Sequence, residues 1–294
     1  MSMRRAVVAA TGVLLGVAAL SLTATPAAAA PQATKTDPPV TVAHRGASGY
    51  APENTLSAVE KADKLGFDWV ENDVQRTKDG ELVIMHDTTL ARTTNVEKLY
   101  PERSPWNVSE FTSKEIKRLD AGSWFSDDYA GEKVPTLEQY LKSITENGQR
   151  LLMELKSPEL YPGIELQTLK ELSDNGWLDS KHTKNKLVIQ SFNAASVKTT
   201  HSLNPAVKTG FLGTPKVSEL DSYAKFTDQI NPRYTTVTKD YVNAVHARKG
   251  PLGEQMEVFT WTVNDGSTAR TVDKAGVDGI ISNYPDVVRE ATKG

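Results

Sequence analysis

Short apolar runs and helix-spaced apolar stripes take turns along most of the chain, and that alternation predicts βα units. Residues 40–43 read as a strand. Pro52-Glu53-Asn54-Thr55 then starts a helix, with Asn54 or Thr55 as its cap and Leu56, Val59, Ala62 and Leu65 as the buried stripe, and Gly66 stops it. A strand from residue 67 follows. Thr77-Lys78-Asp79-Gly80 folds that strand back, since Asp-Gly is a tight-hairpin signal. A turn centred on Asp79-Gly80 sets His86 opposite Asp73, and one slipped by a residue on each side sets it opposite Glu71. From 88 to 134 the alternation stops. Tyr100, Trp106, Trp124, Phe125 and Tyr129 lie there among polar and turn residues. A structureless loop of that length is improbable, so the segment reads as a small inserted subdomain with a short helix near 113–119.

After Pro135 the alternation resumes. Strands are predicted at 151–156, 186–191, 207–212, 229–230, 257–263 and 279–282. Helices are predicted at 136–147 with Thr136 as cap, and at 161–175, 194–203, 217–225, 239–248, 267–275 and 286–292. Leaving out the returning hairpin arm, eight strands with helices between most of them fill about 250 residues, which is the arithmetic of a TIM (β/α)8 barrel. The expected fold is therefore an α/β barrel over 40–290, with a small insertion at about 88–134 after the His86 strand. No long glycine-rich fingerprint follows the first strand, which disfavours a dinucleotide-binding fold. In a barrel the functional side chains gather at the C-terminal strand ends.

Composition adds exclusions. The 294 residues carry a formal charge of −3 and 24% charged residues, with no broad basic field to suit nucleic acid. No cysteine is present, so thiolate metal sites, disulfides and a cysteine nucleophile are excluded. Residues 1–30 have the pattern of a secretory signal peptide: Arg4-Arg5, an apolar run over 6–22, then small residues around Pro26 up to Ala30. Cleavage is expected near 28–30, giving a protein secreted or held in the cell envelope without stable membrane insertion. The Pro/Thr/Ala-rich residues 31–39 read as a linker.

Four predicted strand ends carry chemistry. The first ends in His44-Arg45. The second brings Glu71 and Asp73 to one face, because side chains two apart in a strand point the same way. Like charges held that close call for a cation or a donor between them. The strand at 151–156 ends with Glu154 and Lys156 side by side, and the one at 257–263 aligns Phe259, Trp261 and Val263. Taken singly, each feature is ordinary: a structural histidine, a solvated face, a surface ion pair, a core tryptophan. Falling on successive strand ends, they outline one site. Three acidic oxygens from Glu71, Asp73 and Glu154 match one hard divalent cation, Ca²⁺ or Mg²⁺, better than zinc. His201 and His246 fall in predicted helices and His182 in a loop, and all three read as structural or exposed.

His44-Arg45-Gly46, Pro52-Glu53-Asn54-Thr55, Glu71-x-Asp73-Val74-Gln75, Thr77-Lys78-Asp79-Gly80, His86-Asp87, Glu154-x-Lys156, Gln190-Ser191-Phe192 and Trp261-Thr262-Val263-Asn264 together resemble the glycerophosphodiester phosphodiesterase family, in order, over about residues 40–290. The resemblance implies a TIM barrel related to that of phosphatidylinositol-specific phospholipase C. It also implies metal-dependent hydrolysis of glycerophosphodiesters to glycerol 3-phosphate and an alcohol. By position, Glu71, Asp73 and Glu154 would hold the metal, and His44 and His86 would be the acid–base pair. Arg45 and Lys156 would contact the phosphate, and Trp261 would wall the glycerol side. Asn72 departs from the family's apolar or small residue, and by strand parity it points towards the helical layer. Export leaves teichoic acid as a possible polymeric substrate. Two alternatives stand beside this reading. One is a lysophospholipase D- or sphingomyelinase D-like enzyme whose acyl chains meet Trp106, Trp124 and Phe125. The other is a non-catalytic envelope-binding module.

Overall fold

The computed structural model describes residues 38–293 together with 1–3, 6 and 9; most of the expected signal peptide and linker lies outside the described residues. The fold is that of the compact unit Lys35–Gly294. Among the described residues no helix is long and apolar enough to cross a membrane.

Nine strands form one sheet: β1 (Val40–Ala43), β2 (Trp69–Arg76), β3 (Leu82–Ile84), β4 (Arg150–Leu155), β5 (Leu187–Ser191), β6 (Lys208–Leu212), β7 (Gln229–Asn231), β8 (Glu257–Thr260) and β9 (Gly279–Ser282). Every neighbouring pair is parallel except β2–β3, and β1 pairs with both β9 and β2. Eight parallel strands therefore close into a barrel with helices between most of them, and β3 hangs from β2 outside the ring. This is the expected TIM barrel.

Alternating residues divide the strands between two cores. Val70, Val74, Leu151, Met153 and Ile189 face the helical layer, where they meet Leu137, Tyr140, Leu141 and Ile144 of the helix Leu137–Glu146. That helix starts on a reciprocal capping box: Thr136 accepts from the Gln139 amide and Gln139 accepts from the Thr136 amide. Val42, Leu152, Val188, Phe259 and Ile281 point inward and pack together, so the barrel interior is a filled core. The next inward positions towards the C-terminal end are His44, Glu154, Gln190 and Trp261. The β2–β4 register sets Asp73 beside Glu154.

Several local expectations change. The hairpin pairs Val74 with Ile84 and Arg76 with Leu82, a register midway between the two expected ones. Lys78, Asp79 and Gly80 form a three-residue loop in which Gly80 takes φ +93°, and Thr77 Oγ1 accepts from the Glu81 amide. Pairing stops at Met85, whose amide donates to Asp73 O, and His86 follows outside the strand. β8 ends at Thr260, so Trp261 follows the strand. The helix expected at 217–225 is a 3₁₀ turn, Val217–Glu219, followed by Leu220–Tyr223. His182 sits in a short helix, Ser180–Asn185, capped by Asp179. Six residues without an apolar stripe leave no periodic signal.

The segment between β3 and Thr136 has its own apolar cluster, with Leu90, Val96, Val108, Phe111, Ile116 and Leu119 buried together. It includes the helix Ser113–Ile116, which has a Thr112–Glu115 capping box. Asn72 is fully buried, and among the described residues neither of its amide atoms meets a hydrogen-bond partner.

Candidate functional site at the barrel mouth

The turn after β1 builds one side of the mouth. Arg45 (φ 57°) and Gly46 (φ 76°) are both left-handed and swing the chain across the rim, and the Arg45 amide donates to Glu71 Oε2 at 2.9 Å. Gly46 is required twice over: its φ is costly for other residues, and a Cβ there would lie 2.6 Å from the carbonyl carbon of Ala58. Thr55 is the helix cap, accepting from the Ala58 amide. Asn54, also left-handed at φ 59°, instead donates Nδ2 to Asp73 Oδ2 at 2.8 Å. The open choice between the two caps is thus resolved by Asn54 serving the carboxylate.

Glu71, Asp73 and Glu154 are buried, and each offers an oxygen within 4.8 Å of the other two. Two cations face them. Arg45 Nε lies 3.3 Å from Asp73 Oδ2, and Lys156 Nζ lies 2.9 Å from Glu154 Oε1 and 3.7 Å from Asp73 Oδ1. Three carboxylates thus meet two positive charges. Burial and mutual repulsion raise Glu71 well above the usual carboxylate range and push Glu154 up to about 8. Burial would raise Asp73 as well, but Arg45 and Lys156 overcome it and hold Asp73 at about 2. Asp73 Oδ1 has no hydrogen-bond partner among the described residues. A cluster that is all oxygen, acidic and short of positive charge fits a hard divalent cation.

The histidines approach from opposite sides. His44 Nδ1 lies 2.6 Å from Asn283 Oδ1, and its Nε2 is 4.0 Å from Glu71 Oε2. His86 Nδ1 donates to Asp87 Oδ1 at 2.6 Å, which leaves Nε2 as its free ring nitrogen. Burial, and then the Arg45 charge, lower His44 to about 3. Burial also lowers His86, against the opposing pull of Asp73. Both rings are neutral at pH 7.

On the far side, Trp261 donates its indole N–H to Asn231 O at 2.9 Å and meets Phe192 edge-on, with ring centres 5.4 Å apart. A cavity of about 110 Å³ is lined by His44, Arg45, Glu71, His86, Glu154, Lys156 and Trp261 together with Gln190, Phe192, Leu212, Thr262 and Ile281. Seven of the eight expected site residues share it. The eighth, Asp73, belongs to the acidic cluster beside it. Trp106, Trp124 and Phe125 do not line this cavity; the indoles of Trp106 and Trp124 donate to Tyr100 O and Ala121 O within the insertion.

Sequence reasoning missed several residues. Asn283 follows the last strand, where the strand-end rule would have found it. Phe192 likewise follows β5. Asp87 adjoins His86, and Glu53 lies in the same turn as Asn54. Arg92, which bonds both Asp87 and Glu53, lies in the insertion, where no periodicity marks it.

With this geometry in place, comparison with known proteins is informative. The sequence profile of the Glycerophosphoryl diester phosphodiesterase family matches residues 44–287. A glycerophosphodiester phosphodiesterase of Bacillus subtilis (strain 168) is 35% identical over 298 residues, covering 96% of each chain. One from Caldanaerobacter subterraneus is 34% identical over 255 residues, covering 84% of this chain and 95% of the other. Among solved structures, an Oleispira antarctica phosphodiesterase in complex with the product sn-glycerol-3-phosphate superposes with a TM-score of 0.74 at 28% identity, covering 87% of this chain and 98% of that one.

Two outcomes follow from the site's geometry. Gly46→Ala should destabilise the protein by about 3 kcal/mol, from left-handed strain plus the clash with Ala58, read as a fall in denaturation midpoint; an unchanged midpoint would contradict the close approach. A divalent cation must displace protons from Glu154 and Glu71, whose folded pKa values are raised. Ca²⁺ affinity by titration calorimetry should therefore rise with pH up to about 8, by roughly tenfold per unit for each proton displaced. Affinity flat between about pH 6 and 8 would count against the raised carboxylates.

Proposed function

The chain belongs to the glycerophosphoryl diester phosphodiesterase family and is a glycerophosphodiester phosphodiesterase, and on that premise we propose that His44 and His86 are its acid–base pair. Arg45 and Lys156 would bind the phosphate, Glu71, Asp73 and Glu154 would hold one Ca²⁺ or Mg²⁺, and Trp261 would wall the glycerol side. The observation that carries this reading is the convergence on one small cavity of two neutral imidazoles, two cations and two of the three clustered carboxylates.

The chemistry suits these groups. A phosphodiester carries one negative charge, and attack at phosphorus adds charge on its non-bridging oxygens. Arg45 and Lys156 stand where cations would meet that charge. When bound, the divalent cation would supply further Lewis-acid stabilisation. The nucleophile must lose a proton and the leaving alkoxide must gain one. A neutral imidazole can accept the first proton, and an imidazolium formed at the mouth can return one. Asn283 and Asp87 occupy the two Nδ1 atoms, which directs proton exchange to Nε2 on both rings. Phe192 and Trp261 keep one wall apolar, suited to the carbon side of a glycerol unit.

The N-terminal pattern supports export, and we place the mature enzyme outside the cytoplasm, as the barrel 40–290 freed of residues 1–30. There it would act on small glycerophosphodiesters, with a glycerophosphate wall polymer such as teichoic acid as a further candidate. If so, the protein recovered from the culture medium should begin near residues 29–31, as N-terminal sequencing would show. A full-length N-terminus on the exported protein would refute cleavage.

The decisive assay is release of sn-glycerol 3-phosphate from glycerophosphocholine, within a head-group panel run in Ca²⁺ and in Mg²⁺. Turnover should disappear with a chelator and return with the metal. His44→Ala and His86→Ala should each lower kcat by about 10²–10⁴-fold. Full activity in either variant would remove that histidine from the acid–base pair.

A further inference from the structure

Arg92 enters from the insertion, six residues beyond His86, and no role assigned above includes it. Its guanidinium grips two carboxylates with four hydrogen bonds. To Asp87 it donates Nε (2.7 Å to Oδ2) and Nη2 (3.0 Å to Oδ1). To Glu53 it donates Nη1 (2.9 Å to Oε2) and Nη2 (2.7 Å to Oε1). The same oxygens also meet the reacting side of the site: Asp87 Oδ1 accepts from His86 Nδ1 at 2.6 Å, and Glu53 Oε1 accepts from Arg45 Nη1 at 2.8 Å. One chain of contacts therefore runs His86–Asp87–Arg92–Glu53–Arg45.

We propose that Arg92 is a positioning residue, a strap that sets the His86 ring and the Arg45 guanidinium in register with each other through Asp87 and Glu53. The proposal rests on the reading of His86 and Arg45 given under the proposed function. Its physical basis is the shape of the group. Asp87 and Glu53 would repel each other if brought together unaided, and only a planar fork can satisfy both in paired fashion. A lysine offers donors from a single point and cannot hold two carboxylates in two fixed planes. Hydrogen bonds from Arg92, more than any other influence, hold the Asp87 carboxyl below its ordinary range, and they fix the plane in which its Oδ1 meets His86. An ionised Asp87 keeps the proton of His86 on Nδ1 and the lone pair on Nε2. On the other arm, Glu53 draws Arg45 Nη1 to one side while Nε stays 3.3 Å from Asp73. Arg92 is itself 44% exposed, so solvent screens its pairs, while their bidentate network geometry still gives them stabilising weight. Its four bonds fix the planes of both carboxylates, and through them the groups that Asp87 and Glu53 touch.

The test uses the full-length enzyme and four variants: Arg92→Ala, Arg92→Lys, Asp87→Asn and Glu53→Gln. Three readouts are taken: melting temperature, kcat and KM on glycerophosphocholine with metal present, and the ¹⁵N spectrum of the imidazole rings without substrate. Arg92→Ala should melt within about 4 °C of the parent yet lose about 100-fold in kcat/KM, the scale expected when a reacting group is misplaced by about an ångström. Arg92→Lys should not restore it. Asp87→Asn should act mainly on kcat through His86, and Glu53→Gln mainly on KM through Arg45. The His86 ring should report the Nδ1–H tautomer in the parent and a mixture in Arg92→Ala. Parental kcat/KM in Arg92→Ala, or an unchanged His86 tautomer in both Arg92 variants, would overturn the strap. A loss of activity explained by a matching loss of melting temperature would overturn it too. If the parent turns over no glycerophosphodiester at all, the functional reading fails instead, and the ring-nitrogen spectra alone decide the role of Arg92.

Discussion

Three buried carboxylates sharing one barrel mouth are the constraint around which the rest of the site is arranged. Glu71 and Asp73 are committed to the same face by strand parity, and Asp73 is committed to Glu154 by the β2–β4 register. Nothing in the packing could separate them without breaking the barrel. The surroundings answer that crowding with donors and cations: the Arg45 amide on Glu71, the Asn54 amide on Asp73, Arg45 and Lys156 as counter-charges. The left-handed turn through Arg45, Gly46 and Asn54 brings three of these four groups together within ten residues. Its backbone strain is thus tied to the carboxylates it serves. Burial does most to depress His44, and the same positive charge on Arg45 that relieves Asp73 adds to it, so the acidic cluster and the neutral imidazole share one electrostatic arrangement.

Much of this was legible in the sequence because barrels expose their logic through periodicity. Strand parity, strand ends and the count of βα units are local properties, and they sufficed for the ring of eight strands and for bringing His44, Glu71, Glu154, Lys156 and Trp261 to one cavity. What escaped depends on finer or longer-range geometry. The hairpin register turned on whether Asp79-Gly80 closes a two- or three-residue loop, and the hydrogen bonds of Thr77 decide that. His86 reached the site all the same, because it lies past the paired region and takes its place from the chain leading into the insertion. Asn283 lies at a strand end within reach of that rule, but its pairing with His44 crosses the closing seam of the barrel, where β1 lies against β9, a separation of 239 residues. Arg92 was invisible for a different reason: its neighbours in sequence have no period, and its partners are set by the insertion's own packing.

The cavity at the mouth is mixed in character. It measures about 110 Å³ and shares Glu154, Lys156 and Phe192 with a wider neighbouring cavity of about 690 Å³. Trp106 and Trp124 bond within the insertion, where Trp124 stays exposed beside Arg92, and neither lines any part of the mouth cavity. Phe192 and Trp261 supply the apolar surface there, across from charged groups, so the mouth has one dry wall and one ionic wall.

The way the insertion is attached has a wider meaning. Its two ends meet: Ile84 donates to Pro135 O, and Val83 is bridged to Thr136, so the segment leaves and rejoins the barrel through a narrow neck. A segment joined in that way leaves the hydrogen-bonded ring of eight strands uninterrupted. The neck does not, however, isolate it from the chemistry, because Arg92 lies just beyond it and bonds both Asp87 and Glu53. If Arg92 seats the His86 ring as proposed, a change in this segment reaches the chemistry through that one guanidinium. In this barrel the boundary of the segment and the boundary of the site do not coincide.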